Sequence, residues 1–463
     1  MLGPVEQSLL DAVAQDEQAR AERMARAWRF YHGDHPASLA TRSAEQSDNQ
    51  VVNLSRLVVD AGVDALYGQE PEWATGDDTL DAAVAAWMRR RRTGTGQSAP
   101  FLATLRRFAL NGAVTGHAWR KWSTGDMRLG LPPRLRVLDP ANVTAFWDED
   151  DHETVYAYKV AWSTIDTKGR PVERRQMIER ATDASWTIRD EQREAGRRWQ
   201  QIGPTITWPY AWPPISGCQN LPCPNEYWGI ADLERDHLDL QEGINYSASN
   251  IAKIIRLYAH PRDVGYGFTA GELHAAPGEM ILIANERAKI ETLPMASDLS
   301  SSLDFFATLR EAMHATSRTP EVAVGKLQDV GAMSGVALGI LWGPLVRKTE
   351  AKRLTYGPNV EDAIAEYLVL TGHAADVAQV EVETTWPEIV PSDPVAERQA
   401  ALMDEQLGAS RRTILAMLGY DPDVEAEQKA EEDAAAVALA QQRFDAGGGA
   451  DPATRTPPPD PQV

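Results

Sequence analysis

The sequence predicts an α+β fold, mainly helical, with its strands gathered in one stretch and its long helices in another. Two observations carry this. From Trp228 to Leu257 apolar residues recur every three or four positions, the period of a helix. From His117 to Trp212 short runs rich in β-branched and aromatic residues are separated by Gly, Pro and Asp, the signature of strands and turns. Composition bounds the class. The 463 residues carry 46 Lys and Arg against 67 Asp and Glu, a formal net charge of −21. Such a chain lacks the basic face of a protein that grips nucleic acid, yet DNA could pass through it unheld. Its length leaves room for roughly two to four domains.

The first thirty residues read as a helix marked by Leu9, Leu10, Val13, Met24, Trp28 and Tyr31, ended by Gly33 and Pro36. They are charged throughout, so no signal peptide is expected. Asn53 to Tyr67 and Leu80 to Arg92 are two further helices, the second closing on four arginines. Cations at a helix C-terminus complement its dipole, and no aromatic residues interleave these, so a nucleic-acid site is the weaker reading. Phe101 to Ala113 is helical again. The segments HAWRKW, RLRVL and TVYAYKVAW are strands, and further strands fill residues 172–212. Asp148, Glu149, Asp150 and Asp151 lack the spacing and glycine of a calcium loop and fit a solvated hairpin turn. Trp186, Trp199, Trp208 and Trp212 could stack sugars or bases, but indoles bury much area and core or interface is expected. Cys218 and Cys223 are too few for a disulfide framework or a zinc site.

A proline-rich link introduces the long helix of residues 228–257. Ile230, Leu233, His237, Leu240, Ile244, Ile251 and Ile255 line one face of it. A helix this long with one modest apolar stripe needs neighbours on both sides, as a strut in an assembly does. AHPRDVGYGF and GEMILIA read as strands of a small excursion over 258–295, and a second helix runs from Ser302 to Ser317. The stretch after Thr319-Pro320 has no strong period. It leads into a long, interrupted helix in which Gly331, Gly335, Gly339 and Gly343 fall every four residues, a ridge for close packing or, at Gly343-Pro344, a bend. The uncharged run from Val330 to Val346 is barely long enough to span a bilayer and holds four glycines and a proline, so a membrane helix is the weaker reading. A strand with proline punctuation follows, then helices at Val395–Gln406 and Arg411–Leu418, the second capped by Ser410. The rest is acidic, and its last part, AGGGADPATRTPPPDPQV, is expected to be disordered.

No P-loop, GxSxG, HExxH or strand–GxGxxG–helix pattern is present, and the nine histidines form no pair at metal-ligand spacing. No catalytic activity, cofactor or metal is expected.

In this order the elements resemble the portal proteins of tailed double-stranded-DNA bacteriophages, of the class found in long-tailed siphophages. The resemblance runs from about Trp28 to Glu432. WRFYHGDHP with NLSRLVVDAGVDALYGQEP is similar to the opening helices of the wing. PNEYWGIADLERDHLDLQEGINYSASN resembles the entry to the first stem helix, although Ala231 stands where a capping residue is expected. SRTPEVAVG with SGVALGILWGPLVRKTEAKR resembles the channel loop and its following helix, and WPEIVPSDPVAERQAALMDEQLGASRRTILAMLGYDPDVEAE the segment leading to the crown.

The resemblance implies a portal fold: a wing at 1–227, a first stem helix at 228–257, a clip at 258–301 and a second stem helix at 302–319. A channel loop at 320–333, the interrupted helix and a returning wing strand at 334–393, a crown at 394–445 and a disordered tail at 446–463 complete it. It implies a homo-oligomeric ring of about twelve subunits at one capsid vertex of the virion, assembled in the host cytoplasm. Double-stranded DNA would enter and leave through its channel; terminase would dock on it, then a head-completion adaptor, with major capsid and scaffolding proteins around it. Lys326, Gln328 and Asp329 are then candidates to face DNA, and Arg262, Tyr266 and Phe268 candidates to meet terminase. The stripe from Ile230 to Ile255 becomes a stem interface. A channel lined by acidic faces would not hold the duplex, since cations on phosphate do. Two alternatives stand beside this reading: a membrane-associated oligomer using the 330–346 run, and a carbohydrate-active hydrolase using the tryptophans and a carboxylate pair.

Overall fold

The computed structural model describes residues 7–39, 48–89, 100–123, 133–148, 150–166, 168–183, 185–194, 196–259, 263–266, 289–292, 299–324, 335–390 and 394–447. The chain divides into two compact units, Met1–Ala332 with Leu338–Ile389, and Met333–Ala337 with Val390–Val463.

In the first unit a layer of helices covers a pair of sheets. Helix α1 spans Gln7–Ala12, α2 Ala14–His32, α3 Leu54–Tyr67, α4 Asp78–Arg89 and α5 Phe101–Thr115. Gly33 ends α2 at φ +84°, a conformation that costs glycine little, and the Asn53 side chain accepts the Arg56 N–H to start α3. A short strand β1 (Glu72–Ala74) lies between α3 and α4. After α5 come β2 (His117–Ser123), β3 (Arg134–Leu138), β4 (Val143–Trp147), β5 (Val155–Ile165), β6 (Pro171–Arg180), β7 (Trp186–Glu194), β8 (Gln200–Gln201), β9 (Ile206–Trp208) and β10 (Ile215–Gln219). They form an antiparallel three-stranded sheet in the order β10-β2-β3, and a six-stranded sheet β4-β5-β6-β7-β8 with β9 also on β7.

Strand β2 is the centre of this unit, because both its faces are buried. Trp119 packs edge-on to Tyr158 of the larger sheet, with ring centroids 5.8 Å apart. From the opposite face Arg120 and Trp122 reach the long helix described below, where both bond the buried Glu366 carboxylate; Arg120 Nε also donates to Asn359 Oδ1 at 2.8 Å. The tryptophan cluster is mostly core. Trp186 and Trp208 are buried, their indole N–H groups donating to Ala211 and Trp212 carbonyls, while the guanidinium groups of Arg175 and Arg193 both lie against the Trp199 ring. The acidic residues Asp148, Asp150 and Asp151 sit in the turn between β4 and β5.

Next come α6 (Arg235–Ala259), β11 (Asp263–Tyr266), β12 (Lys289–Thr292), α7 (Leu299–Thr316) and α8 (Gly335–Leu370). The β11 and β12 strands pair antiparallel, and α6 packs along α7. The GEMILIA stretch lies outside the described residues. Last in this unit, β13 (Glu383–Thr385) pairs with β1 across three hundred residues of sequence.

Two expectations change. The long helix begins at Arg235, not Trp228: Gly229 is pressed against Gly116 and Gln219, where a Cβ would come within 2.6 Å of both, and Ile230 pairs with Leu221 in a β-bridge. Tertiary contact overrides the helical spacing of Ile230 and Leu233. The long helix α8 is not interrupted; it runs through both Pro344 and Pro358.

The second unit holds α9 (Pro394–Gln406), α10 (Arg411–Met417) and α11 (Pro422–Gly447). Ser410 caps α10, accepting the Thr413 N–H at 3.1 Å. Residues 446 and 447, expected in the tail, end α11; the remainder lies outside the described residues. Among the described residues no helix is long and apolar enough to cross a membrane.

Candidate functional site

The described surroundings of α6 are unusually polar. Its side facing the rest of the unit carries Gln241, Asn245 and Ser249, one turn apart and all buried. These clamp an extended strap that runs from Asp48 into α3. Ser249 Oγ accepts the Gln50 N–H at 2.9 Å, Asn245 Oδ1 the Val52 N–H at 3.0 Å, and Gln241 Oε1 the Ser55 N–H at 3.0 Å. Gln241 Nε2 returns a bond to the Val52 carbonyl at 2.6 Å. From Gln50 to Val52 the registers match because two residues of extended chain advance ~6.6 Å and one four-residue step of helix ~6 Å. Arg256 meets Asp48 at 2.6 Å, and Arg26 of α2 meets Asp239 and Glu242 at 2.9 Å each. Apolar contact comes from Leu238, which joins the main core, and from Leu240 and Ile244, which join Leu54, Val58, Phe306, Leu309 and Met313.

Below the start of α6 lies a buried charge cluster. The Asp232 carboxylate receives Lys352 Nζ at 2.7 Å and Lys348 Nζ at 3.3 Å, both from α8, and Asn220 Nδ2 at 3.1 Å. Its backbone N–H donates to Ala113 at the end of α5. Lys348 also donates to the Ser317 carbonyl, at the exit of α7, at 3.1 Å, and Tyr356 Oη donates to Asn220 Oδ1 at 3.2 Å. One carboxylate thus ties α5, α8 and the entry to α6, and Lys348 extends the tie to α7. Helix α3 approaches it through Gly62, where a Cβ would sit 2.7 Å from Asp232 Oδ2. Two ammonium groups share one carboxylate, and burial pushes Lys348 down to about 8. Burial also pushes the Asp232 carboxyl up, but the two lysines outweigh it and hold the group below its ordinary value.

A second buried group is His117, stacked on Tyr227 and edge-on to Trp228. Burial, with Arg20 nearby, lowers it to about 3, so it stays neutral. Its ring is packed among aromatic side chains.

The expected stem stripe divides. His237 and Ile244 are buried and Leu240 and Ile251 half-buried on α6, whereas Ile255 is exposed; Ile230 and Leu233 precede the helix, the first exposed and the second in the main core. His237 is packed with its Nδ1 3.2 Å from Asp236. Gly335, Gly339, Gly343 and Pro344 lie on α8. Among the described residues no neighbour comes within 4 Å of a Cβ built at Gly339, and only the Arg347 side chain, at 3.5 Å, does so at Gly343. Among the described residues these two make no close helix contact, and at Gly343-Pro344 the helix continues. Tyr266 is on β11 beside Lys289. Lys326, Gln328, Asp329, Gly331, Arg262 and Phe268 lie outside the described residues.

Asp232, Lys348, Lys352 and the polar row of α6 are what the sequence reading missed. The row has a visible signal, Gln241, Asn245 and Ser249 at steps of four, but only its depth in the fold distinguishes it from a solvated face. Lys348 and Lys352 are likewise four apart, with Tyr356 four further on.

Chains from the necks of gene transfer agent particles are similar to this one. A chain from the neck of the native particle, computed with C12 symmetry, is 14% identical with a TM-score of 0.47, covering 79% of this chain and 89% of its own. One from the neck of the empty particle, computed with C6 symmetry, is 12% identical at 0.49, covering 79% and 90%; one from the native virion is 13% identical at 0.46, covering 79% and 89%. A likeness at this level does not by itself assign a function. No family model and no curated protein matches the chain.

Proposed function

We propose that this chain is the portal subunit of a phage-like particle, a non-catalytic component that assembles with copies of itself into a ring through which DNA passes. One observation carries the reading. Two helices, α6 and α7, pack side by side and are joined by a segment containing the β11–β12 pair, so that a strut of ~37 Å carries a small β module at one end. Side by side in a ring, such struts form the wall of a channel, and the β modules form a rim for a motor or adaptor to grasp. The polar row of α6 supports this, since it anchors the strut to its own subunit by hydrogen bonds and leaves apolar Tyr246, Ile255, Leu303 and Phe305 uncovered. The acidic balance of the chain suits a wall that must not hold the duplex.

Native mass spectrometry with negative-stain images of the purified protein tests it. Rings of about a dozen subunits with a central hole are expected. A species of 51.0 kDa at every concentration, with and without capsid and scaffolding partners, would overturn the reading.

A further inference from the structure

The clamp between α6 and the strap contains one group that titrates. His35 follows the turn that ends α2, half-buried, its ring stacked on Phe30 with centroids 4.6 Å apart. Its two nitrogens meet different partners. Nε2 lies 2.9 Å from the Phe30 carbonyl oxygen, and Nδ1 lies 2.6 Å from Asn245 Nδ2 on α6. A carbonyl only accepts, so Nε2 carries the hydrogen. An amide NH2 only donates, so Nδ1 presents its lone pair. The neutral ring, in this one tautomer, satisfies both contacts.

Asn245 is not free to turn. Its Oδ1 accepts the Val52 N–H at 3.0 Å and Gln241 Nε2 at 3.1 Å, so a flipped amide would aim its NH2 at two donors. The result is a relay whose donors all point one way. Val52 donates to Asn245, Asn245 to His35, and His35 to the Phe30 carbonyl. A second hydrogen on the ring, at Nδ1, would face an NH2 group at 2.6 Å, donor against donor. The conflict is relieved when Asn245 turns its oxygen toward the imidazolium, a charge-assisted bond, and that removes the acceptor of the Val52 N–H.

The charged groups on the surrounding elements do not offset this. Among the described residues no carboxylate lies within 4.0 Å of a His35 nitrogen. On α2, Arg26 is paired with Asp239 and Glu242 of α6, while Arg29, His32 and the adjoining Asp34 are exposed. On α6, Lys253 is exposed and Arg256 meets Asp48 of the strap.

We propose that His35 is a pH-sensitive latch on the strap: the neutral ring holds Asn245 in the orientation that binds Val52, and the protonated ring releases it. The anchors on either side, Ser249 on Gln50 and Gln241 on Ser55, are groups that do not titrate. Release is therefore confined to the middle of the strap and leaves α3 folded. The latch lies within one subunit, so it operates whether or not rings form.

Imidazoles take up a proton between about pH 5 and 8, and the test spans that range. Hydrogen exchange of the full chain is compared at about pH 7.5 and about pH 5.5, each amide corrected for its intrinsic rate. Protection at Val52 should fall by about fivefold or more at the lower pH, relative to the change in β2, as one lost hydrogen bond implies. His35→Gln keeps an acceptor for Asn245 but takes up no proton, so its Val52 protection should be the same at both pH values. The parent's imidazole, followed by NMR, should gain its proton over the same range in which Val52 loses protection. That measurement needs only the parent and decides the matter should the variant not fold. An equal loss at Val52 in parent and variant overturns the latch. So does an imidazole that protonates with no change at Val52, or one that stays neutral throughout.

Discussion

Asp232 shows how much one residue can hold. Among the described residues its carboxylate is the sole acceptor for Lys352 and one of two for Lys348, deep in the fold. Removing it leaves two ammonium groups buried without a counter-charge. Asp232→Asn is therefore expected to destabilise the protein by about 3–5 kcal/mol in denaturant titrations. Lys348→Met should cost much less, because it removes the charge in excess and leaves the Asp232–Lys352 pair intact. The same residue sets a pH dependence. Folding lowers Lys348 from 10.5 to about 8, so between those values the unfolded chain binds more protons than the folded one, and this group's contribution to stability grows as pH rises. Its unfavourable effect is fully present below pH 8. The melting temperature of the parent should thus gain on that of Lys348→Met from pH 8 to 10; parallel curves would show that Lys348 is not the group responsible. In the sequence, Lys348 and Lys352 are two basic residues of a mixed run, and nothing in that run marks them as buried.

At the scale of the element, α6 is held by a row of buried hydrogen bonds as well as by apolar contact. Asn245→Ala removes the acceptor of the Val52 N–H and the partner of His35 at 2.6 Å, and is expected to cost about 1–3 kcal/mol. Hydrogen exchange should rise at Gln50 and Val52 before it rises in the β2 core; unchanged protection there would mean that the strap is held by something else. The strap was legible as a polar loop and α6 as a helix. Their pairing was not, since a row of Gln, Asn and Ser reads as solvated until its partner is known. The start of α6 shows the reverse case: an apolar period that continues through Ile230 and Leu233 although the backbone there is bent by Gly229 against Gly116.

For the molecule as a whole, the division at residue 390 gives a prediction of its own. The first unit contains the main core and both buried charge networks. A chain ending at Ile389 should keep a cooperative melting transition within a few degrees of the full-length protein by scanning calorimetry. Loss of that transition would show that the second unit is needed for the fold of the first. Such a chain would also test whether the second unit contributes to assembly.

The sequence by itself determined most element types, the run of strands after α5, the helix–β–helix order of α6 to α7 and the Ser410 cap. These depend on local period, turn chemistry and capping, which act over a few residues. Tertiary structure alone decided which polar residues are buried and which apolar ones are not. Asp232, Lys352 and Asn245 lie inside, and Ile340, Leu354 and Phe305 outside, because burial depends on what the rest of the chain brings alongside.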